Sequence, residues 1–421
     1  MYNYLSRINL SLWEGRMIYS CIDIGSDTIK IVVGKIIDGI VHILGAVNTR
    51  SVGVKKGLII NKDLVIQSIN LALDELESQI GFRIDKVIVA VPLYDVDVNV
   101  YNGKSYLDGE ITGSDIITCF KSCVSTIDID QEVITVFPIE FLIDGEKKTY
   151  DPKGDSGETL ESKILISTIP KKNIYTYLEV LEKCGLEVID LSFGVINDFY
   201  AVNSMDDFNK VCGAVVDIGK DKTEIAVFNK GLMINGTVLP IGSKLVDNDI
   251  NYIYHLDRST VRELKENFSY ASSKYAMEDE KYEYEDLDGE KREIEQVDLS
   301  KVVEARLEEI LKNVKKSLND LTNHKISYII ITGGVANSPG FDYLLEEIFG
   351  EITHIVNTNL IGVRNNIYTS CVGMIKYYYD KLKLRGIDYT MYDDSNFQDV
   401  EKKKKLHEKI IDDMKKYLEN N

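Results

Sequence analysis

The sequence predicts an α/β fold of two duplicated lobes with a central cleft between them. Residues 21–34 (CIDIGSDTIKIVVG) and residues 214–228 (AVVDIGKDKTEIAVF) each combine a buried strand, an Asp-x-Gly turn and a second strand. A further turn and a third strand follow each copy, which gives two matching antiparallel meanders. The composition agrees, because 421 residues with 44% hydrophobic and 28% charged residues indicate a folded protein with a large core.

Charge and residue usage limit the classes of function. A formal net charge of −19 argues against general nucleic-acid binding, which requires a basic surface. The six cysteines form no C-x-x-C pair and the five histidines form no zinc pattern, so we expect a reducing cytoplasm and no zinc site. No run approaches the roughly 20 apolar residues that span a bilayer. Residues 1–16 lack the apolar stretch of a signal peptide and are predicted to be an N-terminal extension.

The first lobe is predicted from residues 17–83 and 169–210. After its meander, an amphipathic helix starts at the N-cap residue Asn61 and stops at Gly81. The intervening residues 84–168 are predicted to form a β-rich inserted small domain that contains one helix.

The second lobe is predicted from residues 211–385. It starts with the second meander, and residues 246–325 add a mostly helical subdomain with a charged hairpin. A strand, a glycine turn and a helix then follow. Residues 386–400 are predicted to be a polar linker, and residues 401–421 an amphipathic C-terminal helix.

The first Asp-x-Gly turn has the residue types that bind phosphate. Backbone N–H groups at a glycine can approach a phosphate because no Cβ blocks them. Gly25 and the Ser26 hydroxyl are candidate phosphate contacts, and Lys30 is a candidate counter-charge. Asp23 is a candidate Mg²⁺ ligand through water, since hard cations prefer oxygen.

Two further turns extend this candidate site. Asp217, Gly219 and Thr223 occupy equivalent places in the second turn, with Asp217 as the second candidate Mg²⁺ ligand through water. Gly333 and Gly334 lie between a buried strand and a helix. By itself such a pair is as easily an ordinary strand-to-helix turn, but beside a duplicated pair of turns it becomes a candidate adenosine site.

These motifs together resemble the actin-like ATPase superfamily and, within it, the FtsA family of bacterial cell-division proteins, as a divergent member. The resemblance covers about residues 19–379. Residues 53–77 (GVKKGLIINKDLVIQSINLALDELE) are a far more specific match than the phosphate loop. Residues 137–145 and 151–166 resemble the small domain that FtsA proteins carry as an insert, and this insert matters most for the resemblance. Residues 331–347 resemble the adenosine motif.

The resemblance implies ATP and Mg²⁺ as cofactors, an FtsA-type insert and a central nucleotide cleft. Lys265 and Glu266 match positions that contact the ribose and base in actin-like proteins.

The sequence departs from the family pattern in the second turn and after the insert. Lys220, Asp221 and Lys222 stand where the family usually has Gly, Gly and Thr, and Glu224 replaces an Asp. Gly194 takes the place of a Glu near the attacking water. We therefore expect ATP binding to persist and hydrolysis to be weak or absent.

The C-terminal helix has one apolar face, formed by Leu406, Ile410, Ile411, Met414 and Leu418. From residue 401 onward the chain has seven lysines against five acids, so this tail is basic on an acidic protein. From the residues alone, an interfacial membrane anchor and a helix packed on protein are equally favoured. The resemblance implies a membrane-targeting helix.

The function implied by the resemblance is a cell-division adaptor. It would bind ATP, polymerise head to tail, and tether the FtsZ ring to the cytoplasmic face of the cell membrane at the division site. The FtsZ C-terminal peptide would bind the 246–325 subdomain, with Arg306 as a candidate contact. Two alternatives stay open: a sugar or acetate kinase on the same fold, and a paralogue with the FtsA fold that scaffolds a different membrane-associated assembly.

Overall fold

The computed structural model describes residues 17–202, 207–287, 289–356 and 358–392. The predicted N-terminal extension and the predicted amphipathic C-terminal helix, including all five residues of its apolar face, lie outside these residues. Within them no helix is long and apolar enough to cross a membrane.

The first lobe is built on a five-stranded sheet, whose strands are β1 (Met17–Ile24), β2 (Thr28–Ile37), β3 (Ile40–Arg50), β6 (Lys86–Val91) and β11 (Glu187–Phe193). A small ribbon of β4 (Val54–Lys55) and β5 (Leu58–Ile59) follows the meander. The sheet order is β3-β2-β1-β6-β11. The first three strands pair antiparallel, and β6 joins β1 and β11 in parallel.

Four helices cover this sheet: α1 (Lys62–Ile80), α3 (Lys172–Lys183), α4 (Gly194–Val202) and α9 (Thr369–Arg385). The predicted limits of α1 are confirmed. The Asn61 side chain accepts the N–H of Leu64 at 3.2 Å, and Gly81 ends the helix at φ 82° in the left-handed region. Its apolar stripe is buried against β2 and β3.

The insert has its own sheet and core. Its strands are β7 (Asp97–Glu110), β8 (Gln131–Ile143), β9 (Lys147–Thr149) and β10 (Ser156–Pro170), in the order β7-β10-β8-β9, and helix α2 (Gly113–Val124) packs on them. The predicted start at residue 84 is wrong, because β6 lies in the middle of the first-lobe sheet. The apolar run KVIVAV is buried between two parallel neighbours there, as central strands of parallel sheets are.

The second lobe repeats the first. Its strands are β12 (Cys212–Ile218), β13 (Thr223–Asn229), β14 (Leu232–Leu239), β17 (Ile329–Thr332) and β18 (Thr353–Ile355). They have the order β14-β13-β12-β17-β18. The meander is antiparallel and the last two strands are parallel, as in the first lobe. The predicted duplication is therefore confirmed strand by strand.

Helices α5 (Lys244–Tyr254), α6 (Arg258–Glu263), α7 (Gln296–Leu321) and α8 (Phe341–Phe349) complete this lobe, with a hairpin of β15 (Lys281–Glu285) and β16 (Lys291–Glu295). A π-helical turn, Leu264–Phe268, follows α6 directly.

The chain returns to the first lobe earlier than the sequence predicts. Helix α9, assigned to the second lobe above, packs on α4 and β1. The predicted linker also begins too early, because the N–H of Met391 donates to the carbonyl of Ile18 at 3.0 Å and Tyr392 is buried. These contacts link the two ends of the described chain. Because the partners are far apart in the sequence, no local pattern predicts them.

Candidate functional site

A cavity of about 470 Å³ lies between the two lobes, a volume typical of sites for small ligands. It is lined by ten of the eleven predicted nucleotide-binding residues: Asp23, Gly25, Ser26, Lys30, Asp217, Gly219, Lys265, Glu266, Gly333 and Gly334. Thr223 is the exception. Its side chain is buried, and its hydroxyl donates to the carbonyl of Ile241 at 2.9 Å.

The first turn is tight and pairs its acid with a base. Gly25 donates its N–H to the carbonyl of Thr28 at 3.1 Å, and a Cβ on Gly25 would lie 2.9 Å from the same oxygen. Across the strand register from Asp23 lies Lys30, whose Nζ is 2.9 Å from Asp23 Oδ2. Burial opposes the charge of Lys30, but the Asp23 carboxylate prevails and raises its pKa.

The second turn is filled by ion pairs. Lys220 Nζ lies 2.7 Å from Oδ1 of Asp27, a residue of the first turn. Lys222 Nζ lies 2.6 Å from Oε2 of Glu224. The turn keeps its own backbone bond, from the N–H of Gly219 to the carbonyl of Lys222 at 3.0 Å. Both lysines of this turn, which replace residues of the usual glycine-rich pattern, are thus paired with carboxylates.

Asp221 is held on two sides. Its Oδ2 accepts the N–H of Lys56 at 3.2 Å, and its Oδ1 lies 3.4 Å from Lys244 Nζ. The first of these partners belongs to the first lobe, so the substituted turn also bonds across the cleft.

Two neighbouring carboxyl groups lie at the floor of the cavity, where Asp198 is buried and Asp217 is half-buried. Burial, followed by the neighbouring Glu224, raises the pKa of Asp217 to about 6. Burial and the proximity of Asp217 hold the pKa of Asp198 well above its usual range. Asp198 Oδ2 accepts a hydrogen bond from the hydroxyl of Thr332 at 2.8 Å. This crowding of carboxylates is the arrangement that a divalent cation relieves.

The third turn requires its first glycine. Gly333 has φ 90°, and a Cβ there would lie 2.4 Å from Asp217 Oδ1. At Gly334 a Cβ would meet nothing within 4 Å, so this residue faces open space. Asn337 closes the side of the turn by donating its amide to Asn365 Oδ1 at 3.1 Å. Asn366 lies beside it, with an amide oxygen that accepts no hydrogen bond within the described part of the chain.

The predicted ribose and base contacts lie at the mouth of the same cavity. Lys265 Nζ is 2.5 Å from Asp247 Oδ1, and Glu266 Oε1 is 2.9 Å from Arg262 Nε. Both residues belong to the π-helical turn after α6, and such turns are frequent at functional sites.

The sequence interpretation missed Asp27, Asp198, Arg262, Asn337 and Asn366, all of which line the cavity. Asp27 is the third residue of the first turn, so its position was a usable signal. The others come from separate elements that only the tertiary fold brings together.

The candidate partner contact Arg306 lies outside the cleft, on α7. Its Nε and Nη2 bind the two carboxylate oxygens of Asp249 at 2.6 and 3.0 Å, and its Nη1 lies 2.5 Å from Glu309. The Arg306 side chain is about a quarter exposed, at 27%. It is thus held in place by its own lobe with one side toward solvent.

The chain matches two family models. Residues 214–373 match the cell division protein FtsA model, and residues 96–168 match the model of the SHS2 domain inserted in FtsA. The chain belongs to the FtsA family of cell-division proteins. The SHS2 match coincides with the separate sheet of β7 to β10.

Relatives of the FtsA family align over most of the chain. The FtsA protein of Bacillus subtilis (strain 168) is 29% identical over 375 residues, which cover 88% of this chain and 85% of that protein. FtsA of Pseudomonas aeruginosa is 29% identical over 378 residues, covering 87% and 90%. FtsA of Enterococcus hirae is 27% identical over 367 residues, covering 85% and 82%.

Solved structures confirm the actin-like fold. A chain of the PilM–PilN type IV pilus biogenesis complex has a TM-score of 0.58 at 13% identity, covering 88% of this chain and 99% of that one. MreB5 of Spiroplasma citri bound to ADP has a TM-score of 0.53 at 11% identity, covering 88% and 98%. At such identities the likeness concerns the fold alone.

Proposed function

We propose that this FtsA-family chain is a cell-division adaptor that binds ATP with Mg²⁺, polymerises head to tail, and tethers FtsZ to the cytoplasmic membrane. The observation that carries the proposal is that both Asp-x-Gly turns and the Gly333-Gly334 turn meet in one cavity, within a fold that has the FtsA-type insert. The duplicated turns come from opposite walls, which suits the two ends of a phosphate chain.

Different lining residues would face the phosphates and the nucleoside of the ligand. Ser26 would offer its hydroxyl to the phosphates, while Gly25 and Gly219, whose N–H groups are bonded within their turns, present no side chain to an approaching phosphate. Gly334 leaves open space for the nucleoside.

The charge of the cavity favours a metal-bound ligand. Seven acids outnumber five bases among the lining residues, which are Asp23, Asp27, Asp198, Asp217, Asp221, Glu224 and Glu266 against Lys30, Lys220, Lys222, Arg262 and Lys265. A polyphosphate without its cation would be repelled by this excess. Mg²⁺ held near Asp23 and Asp217 through water would neutralise charge on both the phosphates and the carboxylates.

Weak or absent hydrolysis remains our proposal for this cleft. No carboxylate projects from position 194, and the Glu224 carboxylate occupies the nearby space, 3.7 Å from the place of a Cβ on Gly194. Glu224 is tied to Lys222 and accepts the N–H of Leu93 at 2.8 Å. A carboxylate held in this way is a poor base for water.

The proposed partner contact lies away from the cleft, and the proposed membrane contact lies outside the residues that the structure describes. The FtsZ C-terminal peptide would bind the 246–325 subdomain near Arg306. The basic amphipathic tail would bind anionic lipid at the division site. A single weak anchor suits a polymer, because many linked copies add their membrane affinities.

Recruitment of FtsZ to liposomes tests the adaptor function. Fluorescent FtsZ is mixed with anionic liposomes and ATP, with or without the full-length chain. We expect FtsZ on the liposomes only when the chain is present. The variant Arg306→Ala should still bind liposomes but recruit much less FtsZ. Recruitment that does not depend on the chain would contradict the proposal, and phosphoryl transfer to a sugar or acetate would favour the kinase alternative.

A further inference from the structure

The substituted second turn bonds to the opposite lobe. Lys220, the residue after Gly219, binds Asp27, the residue after Ser26, at 2.7 Å. Nη2 of Arg262 binds the other carboxylate oxygen of Asp27 at 2.8 Å. One carboxylate of the first lobe is therefore held by two cations of the second lobe, directly between the two turns.

Backbone groups of the first lobe join the same closure. The N–H of Lys56 donates to Asp221 Oδ2 at 3.2 Å, and the N–H of Leu93 donates to Glu224 Oε1 at 2.8 Å. The side chain of Lys222 covers Gly57, where an added Cβ would lie 2.7 Å from Lys222 Cε. Two glycines and a threonine at positions 220–222 would lack the Asp221 and Lys222 side chains that make the first and last of these contacts.

The charged groups that bond across the cleft stabilise one another's ionised forms. Burial disfavours the charged form of Asp27, but the hydrogen bond and charge of Lys220 and the charge of Arg262 prevail and lower its pKa. Each pair is partly exposed and modest by itself. All of them form or break together when the lobes close or open, so their effects combine.

We propose that Lys220, Asp27 and Arg262 form a latch that closes the cleft without nucleotide and that the phosphate chain of a nucleotide must displace. The second half of this proposal rests on the proposed ATP binding. Phosphate oxygens and the Asp27 carboxylate are alternative anions for the same two cations. The latch also occupies the space between the turns, where the far end of a phosphate chain has to lie.

The direction in which one substitution changes ATP affinity shows whether Lys220 closes the cleft or binds phosphate. If Lys220 mainly binds phosphate, its removal weakens ATP binding. If Lys220 mainly closes the cleft on Asp27, its removal frees the space and strengthens ATP binding. The variant Lys220→Met keeps the length of the apolar stem and removes the ammonium group.

The first measurement is calorimetric titration with ATP and with adenosine. We expect Lys220→Met to bind ATP about 2- to 5-fold more tightly than the unaltered chain, which corresponds to the loss of one competing, partly exposed ion pair. Adenosine affinity should not change, because adenosine has no phosphate to compete. The matched control is Lys183→Met, which removes a lysine that pairs with Glu179 inside the first lobe at 3.0 Å. Weaker ATP binding by Lys220→Met would overturn the latch.

The second measurement is hydrogen exchange in the nucleotide-free protein. The amides of Lys56 and Leu93 are protected across the cleft only when the lobes are closed. In Lys220→Met their exchange should accelerate about 2- to 5-fold, and in Lys183→Met it should stay unchanged. Asp27→Asn, which weakens the latch from the other lobe, should give the same result. Unchanged exchange in both latch variants would overturn the proposal.

The two measurements test the closure of the cleft and the binding of ATP separately. Failure of every variant to bind millimolar ATP would contradict the proposed ATP binding, and the competition with it. The exchange of the Lys56 and Leu93 amides would still decide whether the latch closes the cleft.

Discussion

Asp217 lies directly opposite Glu224 in the register of β12 and β13. In the first lobe the equivalent register pair is Asp23 and Lys30. The duplication therefore places an acid–base pair in one wall of the cleft and an acid–acid pair in the other. The second pair is one cause of the raised pKa of Asp217, after burial, and Lys222 offsets only part of it.

The two equivalent aspartates should respond in opposite ways to the same substitution. With a pKa near 6 in the folded protein against an ordinary value of 3.8, Asp217 lowers the free energy of unfolding as pH rises from about 4 to about 6. Asp217→Asn should therefore stabilise the protein by about 1–3 kcal/mol at pH 7.5 and by little at pH 4. Urea denaturation at both pH values measures this gain.

Asp23→Asn is the matched control for that measurement. It leaves Lys30 without its partner, although Lys30 is largely buried, so it should destabilise the protein by about 1–3 kcal/mol at pH 7.5. Equal effects of the two substitutions would contradict the asymmetry between the two walls.

The two glycines of the third turn should also differ. Gly333→Ala forces a side chain onto a backbone with φ 90° and onto the Asp217 carboxylate, so it should cost about 2 kcal/mol or more. Gly334→Ala meets open space and should stay within about 0.5 kcal/mol of the unaltered chain. Urea denaturation measures both. If Gly334→Ala is as stable as the unaltered chain but no longer binds ATP, the nucleoside lies against this residue. A clear loss of stability in Gly334→Ala would contradict the open space found beside it.

Binding of Mg²⁺ and ATP should depend on pH through Asp217. A cation near this carboxylate favours its ionised form, so binding has to release the proton that Asp217 holds below pH 6. We expect affinity to rise by up to about tenfold per pH unit below 6 and to level off above it. Titration of ATP's own phosphate is common to all variants, so the Asp217→Asn variant is the control, and its curve should be flatter. If ATP affinity depends on pH identically in the unaltered chain and in Asp217→Asn, Asp217 does not take part in binding.

The tail should bind membrane through its apolar face. Ile410→Glu places a charge in the middle of that face and should lower binding to anionic liposomes about tenfold or more. Ile410→Leu keeps the face apolar and should bind normally. Co-sedimentation with liposomes measures both variants, and unchanged sedimentation of Ile410→Glu would favour a helix that packs on protein.

The sequence predicts the parts of the fold that local patterns encode. The two meanders follow from apolar β-branched runs that end at Asp-x-Gly, and α1 follows from its cap at Asn61 and its stop at Gly81. Long-range packing has no such signal. The strand β6 is separated from its sheet neighbour β11 by the whole insert, and α9 returns from the second lobe to the first. Both were therefore assigned to the wrong unit.

The site shows the same division between local and long-range information. Asp23, Gly25, Asp217 and Gly219 were predictable because strand and turn position them. The partner of Lys220 was not, since Asp27 lies 193 residues away in the chain. From the sequence the turn is therefore only a departure from the family pattern, whereas in the structure Lys220 and Asp221 bond to the opposite wall.

The most direct test of the central claim is calorimetric titration of the full-length chain with ATP, with and without Mg²⁺. We expect micromolar binding that requires Mg²⁺, because the cavity is lined by more acids than bases. We also expect slow or no release of phosphate in the same sample. An absence of binding at millimolar ATP would contradict the account, and the duplicated turns would then hold the two lobes together without a nucleotide.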